Sequence, residues 1–179
     1  MTIDGVDVGI NEPMPFSPVW YSHKFHGPAV RYELGVSIKT GWIVWVHGPF
    51  PAGDFPDLEI FRLGLKDLLG ANERVECDQG YAGDAKTRTP NDFADDINWR
   101  YQKGKARARH EAINGKFKQY RILSNVFIGD RNKHFLIFNA IAAIVQSEIL
   151  EGRLAFELAH YDVRPMNTPG EVPDEEVVV

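Results

Sequence analysis

Residues 32–46 read Y-E-L-G-V-S-I-K-T-G-W-I-V-W-V, and the fold class turns on them. Tyr32, Leu34, Val36 and Ile38 alternate with Glu33, Gly35 and Ser37, the period of a strand with one face toward a core and the other toward water. Thr40 and Gly41 make a short turn into W-I-V-W-V, which is apolar on both faces and therefore expected as a central strand. Upstream, Val6, Val8 and Ile10 mark another strand over 2–10, with Asp4 on its apolar face and Asp7 on the other. An acid on an apolar face requires a partner. The three strands, with a loop spanning Pro13, Pro15 and Pro18 after the first, are expected as an antiparallel meander.

Downstream, the Pro-rich stretch G-P-F-P-A-G-D-F-P-D reads as a loop. Leu58, Phe61, Leu65 and Leu68 then recur at helical spacing and predict a helix over 57–69. R-V-E-C-D over 74–78 reads as a short strand ending at the turn Q-G-Y, and 82–100 as loop with some helix. Helices are expected over 105–120 and 130–150. Three strands, a helix, a strand and two helices fit an α/β chain. The expected sheet is mixed and ribonuclease H-like, an antiparallel three-strand meander plus a parallel strand, flanked by helices.

At 179 residues and 44% hydrophobic, the chain is the size of one domain, expected over 1–160 with a disordered acidic tail over 161–179. The single cysteine, Cys77, forms no internal disulfide, and M-T-I-D-G has neither the basic nor the apolar part of a signal peptide. An intracellular location, nuclear or cytoplasmic, is therefore expected. The longest apolar run, 135–145, is interrupted by Asn139 and is too short to span a bilayer, so it reads as a buried helix with no membrane partner.

The net charge is −5, from 25 acidic against 20 basic residues, yet 100–121 carries Arg100, Lys103, Lys105, Arg107, Arg109, Lys116, Lys118 and Arg121 around a single acid, Glu111. That clustering is large enough for a polyanion. Asp4 on the first strand, Asp78 at the end of a later one and Glu111 on a following helix form a set that a hard cation such as Mg²⁺ or Mn²⁺ would neutralise. No His and Cys converge at zinc-ligand spacing.

T-I-D-G-V-D, W-Y-S-H-K-F-H-G-P, P-D-L-E-I-F-R, E-C-D-Q-G-Y and H-E-A-I-N-G-K-F-K occur in this order, and together they resemble the catalytic domain of the DDE superfamily endonucleases, the Harbinger-type transposases and their relatives, over about 2–146. The resemblance implies catalytic, metal-binding roles for Asp4, Asp78 and Glu111, a supporting acid at Asp57, and a ribonuclease H-like fold. Many relatives carry an aromatic residue where this chain has Asn114. Asp4 would bridge two ions, with Asp78 and Glu111 each completing one, for in-line displacement at a DNA phosphate. Lys24, Lys103, Lys105, Arg107, Arg109 and Lys118 would contact the DNA backbone. Transposases of this type usually carry an end-recognising module upstream. None precedes Asp4, so a truncated or domesticated transposase is expected, with a separate DNA-end-binding accessory protein as a further partner.

Simpler roles stand beside these. Glu111 could pair with Arg107 one turn earlier, Asp4 could be satisfied by backbone donors, Asp78 could merely begin its turn, and Asp57 after Pro56 could cap a helix. His23, Lys24 and His26 could lie in a solvated loop, and the basic run could be an exposed helix face. A non-catalytic nucleic-acid or protein-binding module on the nuclease fold is thus the alternative, followed by a metal-dependent phosphodiesterase of another kind.

Overall fold

The computed structural model describes residues 1–93 and 97–153; the expected acidic tail over 161–179 lies outside them. The chain is mixed α/β. Its strands are β1 (Thr2–Gly9), β2 (Tyr21–Ser22), β3 (Gly27–Val36), β4 (Ile43–Pro51), β5 (Val75–Glu76) and β6 (Thr87–Arg88). Its helices are α1 (Asp57–Leu63), α2 (Leu65–Leu68), α3 (Ile97–Gln119), α4 (Arg121–Ser124) and α5 (His134–Leu150). The sheet order is β2-β3-β1-β5-β6, with β4 also on β3. β1, β3 and β4 form the antiparallel meander, while β5 and β6 run parallel to β1.

Alternation in β1 sorts the two faces. Val6 and Val8, followed by Ile10, join Tyr32, Leu34 and Val36 against Ile113 and Phe117 of α3 and Phe138, Ile141 and Val145 of α5. Ile3 projects to the other face, where Val75, Cys77 and Tyr81 pack with Phe61 and Leu65 of α1 and α2. β3 is thereby covered on both sides rather than half exposed. Glu33, expected to face water, is 1% exposed and accepts from Trp45 Nε1 at 2.8 Å.

Other departures have local causes. β4 is not central: among the described residues it pairs only with β3, and Trp42 and Val44 are exposed. Its apolar character on both faces reflects packing of Ile43 and Val46 toward the α3–α5 core and of Trp45 toward the α1 core. β4 also continues through the Pro-rich stretch to Pro51, with register shifts against β3 that absorb the irregularity. The helix expected over 57–69 breaks at Gly64, where a Cβ would stand 2.6 Å from the His47 ring. β6, two residues long, carries no periodicity to read. α3 begins at Ile97, a full two turns before the expected start. The apolar helix α5 buries Phe138, Ile141, Val145 and Ile149, while Leu136 and Ile144 are exposed, so it is a one-faced core helix rather than a fully buried one.

Candidate functional site

β1 and β5 are paired in parallel at Thr2↔Glu76. Side chains two residues apart on a strand share a face, so Asp4 and Asp78 each emerge one step past this rung, at the same end of neighbouring strands. There β5 stops: Asp78 accepts from Gly80 N at 2.9 Å and caps the 3₁₀ turn Gln79–Tyr81. Between that point and the parallel bridge of Ile10 with Phe127, a cleft of about 400 Å³ opens beside β1, lined by Asp4, Asp78, Lys24 and, from α3, by Arg107, His110, Glu111, Asn114 and Lys118.

Three polar contacts fix α3 across the strand ends. Lys103 Nζ lies 2.8 Å from Glu76, His110 Nδ1 lies 2.8 Å from Thr2 Oγ1, and Asn114 donates to Asp4 Oδ2 at 2.9 Å. Residues 103, 110 and 114 lie along one helix stripe, and Glu111 follows on its cleft side. The partner that Asp4 requires is therefore Asn114, helped by Gly5 N on Oδ1 at 2.8 Å and by Lys24 Nζ at 3.7 Å. Glu111 has a side chain 68% exposed and stands 3.9 Å from Arg107. Asp4, Asp78 and Glu111 thus line one cleft, but among the described residues no three acidic, histidine or cysteine side chains stand close enough to enclose an ion. In kind, the donors suit a hard divalent cation.

Asp57 occupies the opposite face. It is the first residue of α1, after Pro56, and makes no side-chain cap bond. A Cβ on Gly5 would meet Asp57 Cγ at 3.0 Å and Oδ1 closer still. A Cβ on Gly80 would stand 3.2 Å from Asp57 Oδ2 and 3.0 Å from Asp78 Oδ1. Gly5, directly after Asp4, and Gly80, two residues after Asp78, therefore leave the space that Asp57 fills. Burial pushes the Asp57 carboxyl up to about 6, Arg31 and Lys24 oppose the shift, and Asp78 and Asp4 add to it. Arg31 Nη1 lies 3.3 Å from Asp57, while its other nitrogens hold Asp7 at 2.7 and 2.8 Å. Glu33 nearby is raised to about 7, chiefly by burial.

Of the basic residues expected on DNA, Lys24, Arg107 and Lys118 line the cleft. Lys105 is exposed but does not line the cleft; its Nζ lies 4.5 Å from the centre of the Tyr101 ring. Lys103 and Arg109 need correction. Lys103 is buried, paired with Glu76 and donating to the Thr89 carbonyl at 3.0 Å. Arg109 is 2% exposed and donates to the carbonyls of Ser37 and Ile38, tying α3 to the end of β3. Neither reaches a phosphate, because each already satisfies groups inside the fold. Asn114 and His110 were not singled out as site residues by sequence reasoning. The requirement for a partner to Asp4 was the available signal for the first. Burial, with Lys24 adding to it, pushes the His110 imidazole down to about 4.

Compared with protein-family models, curated proteins and solved structures, the chain matches none.

Proposed function

We propose that this cleft is a divalent-cation-dependent phosphoryl-transfer site acting on DNA, carried on a ribonuclease H-like frame. Support for the frame comes from the sheet order, an antiparallel meander whose first strand is flanked by two further strands parallel to it. One observation carries the chemistry: Asp4 and Asp78 lie one step beyond the Thr2↔Glu76 rung of adjacent parallel strands, and Glu111 faces them across the cleft from α3.

Asp4, Asp78 and Glu111 are the residues that would hold Mg²⁺ or Mn²⁺. When bound, such ions supply an activated water and neutralise the charge that develops on the leaving oxygen. Asn114 and the Gly5 amide orient Asp4. Lys24, Arg107 and Lys118 rim the same cleft and would draw in the phosphate backbone. The ordered resemblance to Harbinger-type transposases is what selects DNA among phosphodiesters and adds a separate DNA-end-binding protein as a partner in the cell interior.

The second reading is a non-catalytic nucleic-acid-binding module. It draws on the separation of the three acids and on the pairing of exposed Glu111 with Arg107. Nicking of supercoiled DNA in Mg²⁺ or Mn²⁺ separates the two. Catalysis predicts nicking that disappears in Glu111→Gln with duplex binding kept. Duplex binding without nicking under any divalent cation selects the module.

A further inference from the structure

We propose that Phe25 is a stacking platform in this cleft, so that the nucleotide it receives carries an unpaired base; the proposal rests on the DNA binding shared by the two readings above and deepens it. The ring is an exposed apolar group held in place by a buried polar network. Ser22 and Gly27 form a rung of the β2–β3 pair, and the four residues between them make the loop that carries Phe25. Ser22 is buried, and its hydroxyl accepts from Phe25 N at 2.9 Å and donates to Asp7, which Arg31 holds at 2.7 and 2.8 Å. His26 N donates to the Ser22 carbonyl at 2.8 Å, and His26 itself takes the left-handed conformation, φ 59°, that closes the loop. A Cβ on Gly9 of β1 would collide with the Phe25 ring, and one on Gly27 would touch it at 3.6 Å. The ring therefore lies against β1 at a fixed place. It is still 36% exposed, and it lines the cleft beside Lys24.

Phenylalanine has no donor or acceptor on its side chain, so it can neither hold a phosphate nor read hydrogen bonds at a base edge. What it offers a nucleotide is a surface for stacking, which every base can use. In a paired duplex the faces of each base are already covered by its neighbours. The cleft, at about 400 Å³, has the volume of a small ligand rather than of a duplex, so a base reaches the ring only after leaving its stack. Lys24, the preceding residue, is about half exposed at its side chain and is anchored through Nζ to the Gly5 carbonyl at 2.8 Å. An ammonium has three hydrogens to donate, so this anchor leaves others for a phosphate oxygen. Consecutive residues of one braced loop thus meet the two ends of a single nucleotide, its phosphate and its base.

The test measures binding by fluorescence anisotropy, in metal-free buffer at low salt, to a fully paired duplex and to the same duplex with a short unpaired bubble at its centre. Wild type is compared with Phe25→Leu, which keeps an apolar side chain over Gly9 but has no aromatic face, and with Phe25→Tyr, which keeps both. The wild type should bind the bubble about tenfold more tightly than the paired duplex, roughly the strength of one base–aromatic stack. Phe25→Leu should lose this preference with its affinity for the paired duplex kept, and Phe25→Tyr should retain it. A wild type that binds the two DNAs equally overturns the role of Phe25 and leaves DNA binding at the cleft standing. So does a Phe25→Leu protein that weakens on both DNAs alike, or on neither. Failure of the wild type to bind either DNA removes both.

Discussion

Gly5→Ala should destabilise the protein through one identified collision. The three atoms nearest an added Cβ all belong to the Asp57 carboxyl, with Cγ at 3.0 Å, Oδ2 at 3.5 Å and Oδ1 nearest. Asp57 has little room to retreat, since Arg31 Nη1 lies 3.3 Å from Oδ1 and Gly80 bounds the other oxygen. Overpacking of this kind costs roughly 1–3 kcal/mol. Against it, alanine in a strand is preferred to glycine by roughly 0.5–1 kcal/mol. In an Asp57→Ala background only the preference remains, so Gly5→Ala should there be neutral or mildly stabilising. The preference cancels in the cycle, which therefore predicts a coupling of roughly 1–3 kcal/mol between the two sites. Urea unfolding of the four proteins measures it. Equal cost of Gly5→Ala in both backgrounds, or no cost in the wild type, would refute the claim that this glycine exists to admit Asp57. Gly104→Ala is the control. Nothing lies within 4 Å of a Cβ there, so it should stabilise α3 by roughly 0.8–1 kcal/mol.

Lys103→Met should cost about 3 kcal/mol because it strips a buried carboxylate, Glu76, of its nearest cation, whereas exposed Lys105→Ala should stay within about 1 kcal/mol; similar unfolding midpoints would contradict the assignment of Lys103 to the interior. Glu33 has a carboxyl raised from 4.5 to about 7, so the folded state binds its proton more tightly than the unfolded chain, and the stability linked to that proton is complete below pH 4.5 and lost as pH rises through 7. Glu33→Gln should therefore gain on the wild type by about 1–3 kcal/mol between those limits. His110 and His134, lowered to about 4, act in the opposite sense in both proteins and cancel in the difference; a difference profile that is flat with pH would show that Glu33 binds its proton equally well folded and unfolded, and so is not raised by burial. Lys24→Ala, Arg107→Ala and Lys118→Ala should each weaken duplex binding without altering sequence preference and reduce the salt slope by about 1, measured by anisotropy at several salt concentrations. An unchanged slope would remove that residue from the phosphate path.

The meander, the helix starting at Asp57 and the placement of Asp4 and Asp78 were legible because alternation and helical spacing report burial directly. What periodicity does not report is what does the burying. W-I-V-W-V is apolar on both faces because Ile43 and Val46 pack toward one core and Trp45 toward the other, and this looks the same in sequence as a strand flanked by strands. Lys103 and Arg109 were hidden by their charge, although counting back from Ile113 and Phe117 at helical spacing lands on Lys103, Ala106, Arg109 and His110, all buried. Each buried charge has partners far along the chain, Glu76 for Lys103 and the Ser37 and Ile38 carbonyls for Arg109. The role of Asp57 depended on the same kind of distance. Gly5 and Gly80 lie 75 residues apart in sequence, and only the Thr2↔Glu76 pairing brings them to one side chain.

Cation binding at the cleft underlies every functional claim, so thermal unfolding across a Mn²⁺ titration, for wild type and Asp78→Asn, tests the account most directly. Binding to the folded state alone at a hundred times the dissociation constant contributes about 2.7 kcal/mol, or roughly 5–10 °C for a chain of this size. The account predicts that rise in the wild type and its loss in Asp78→Asn. An unmoved wild-type transition, or an equal rise in both proteins, would contradict it.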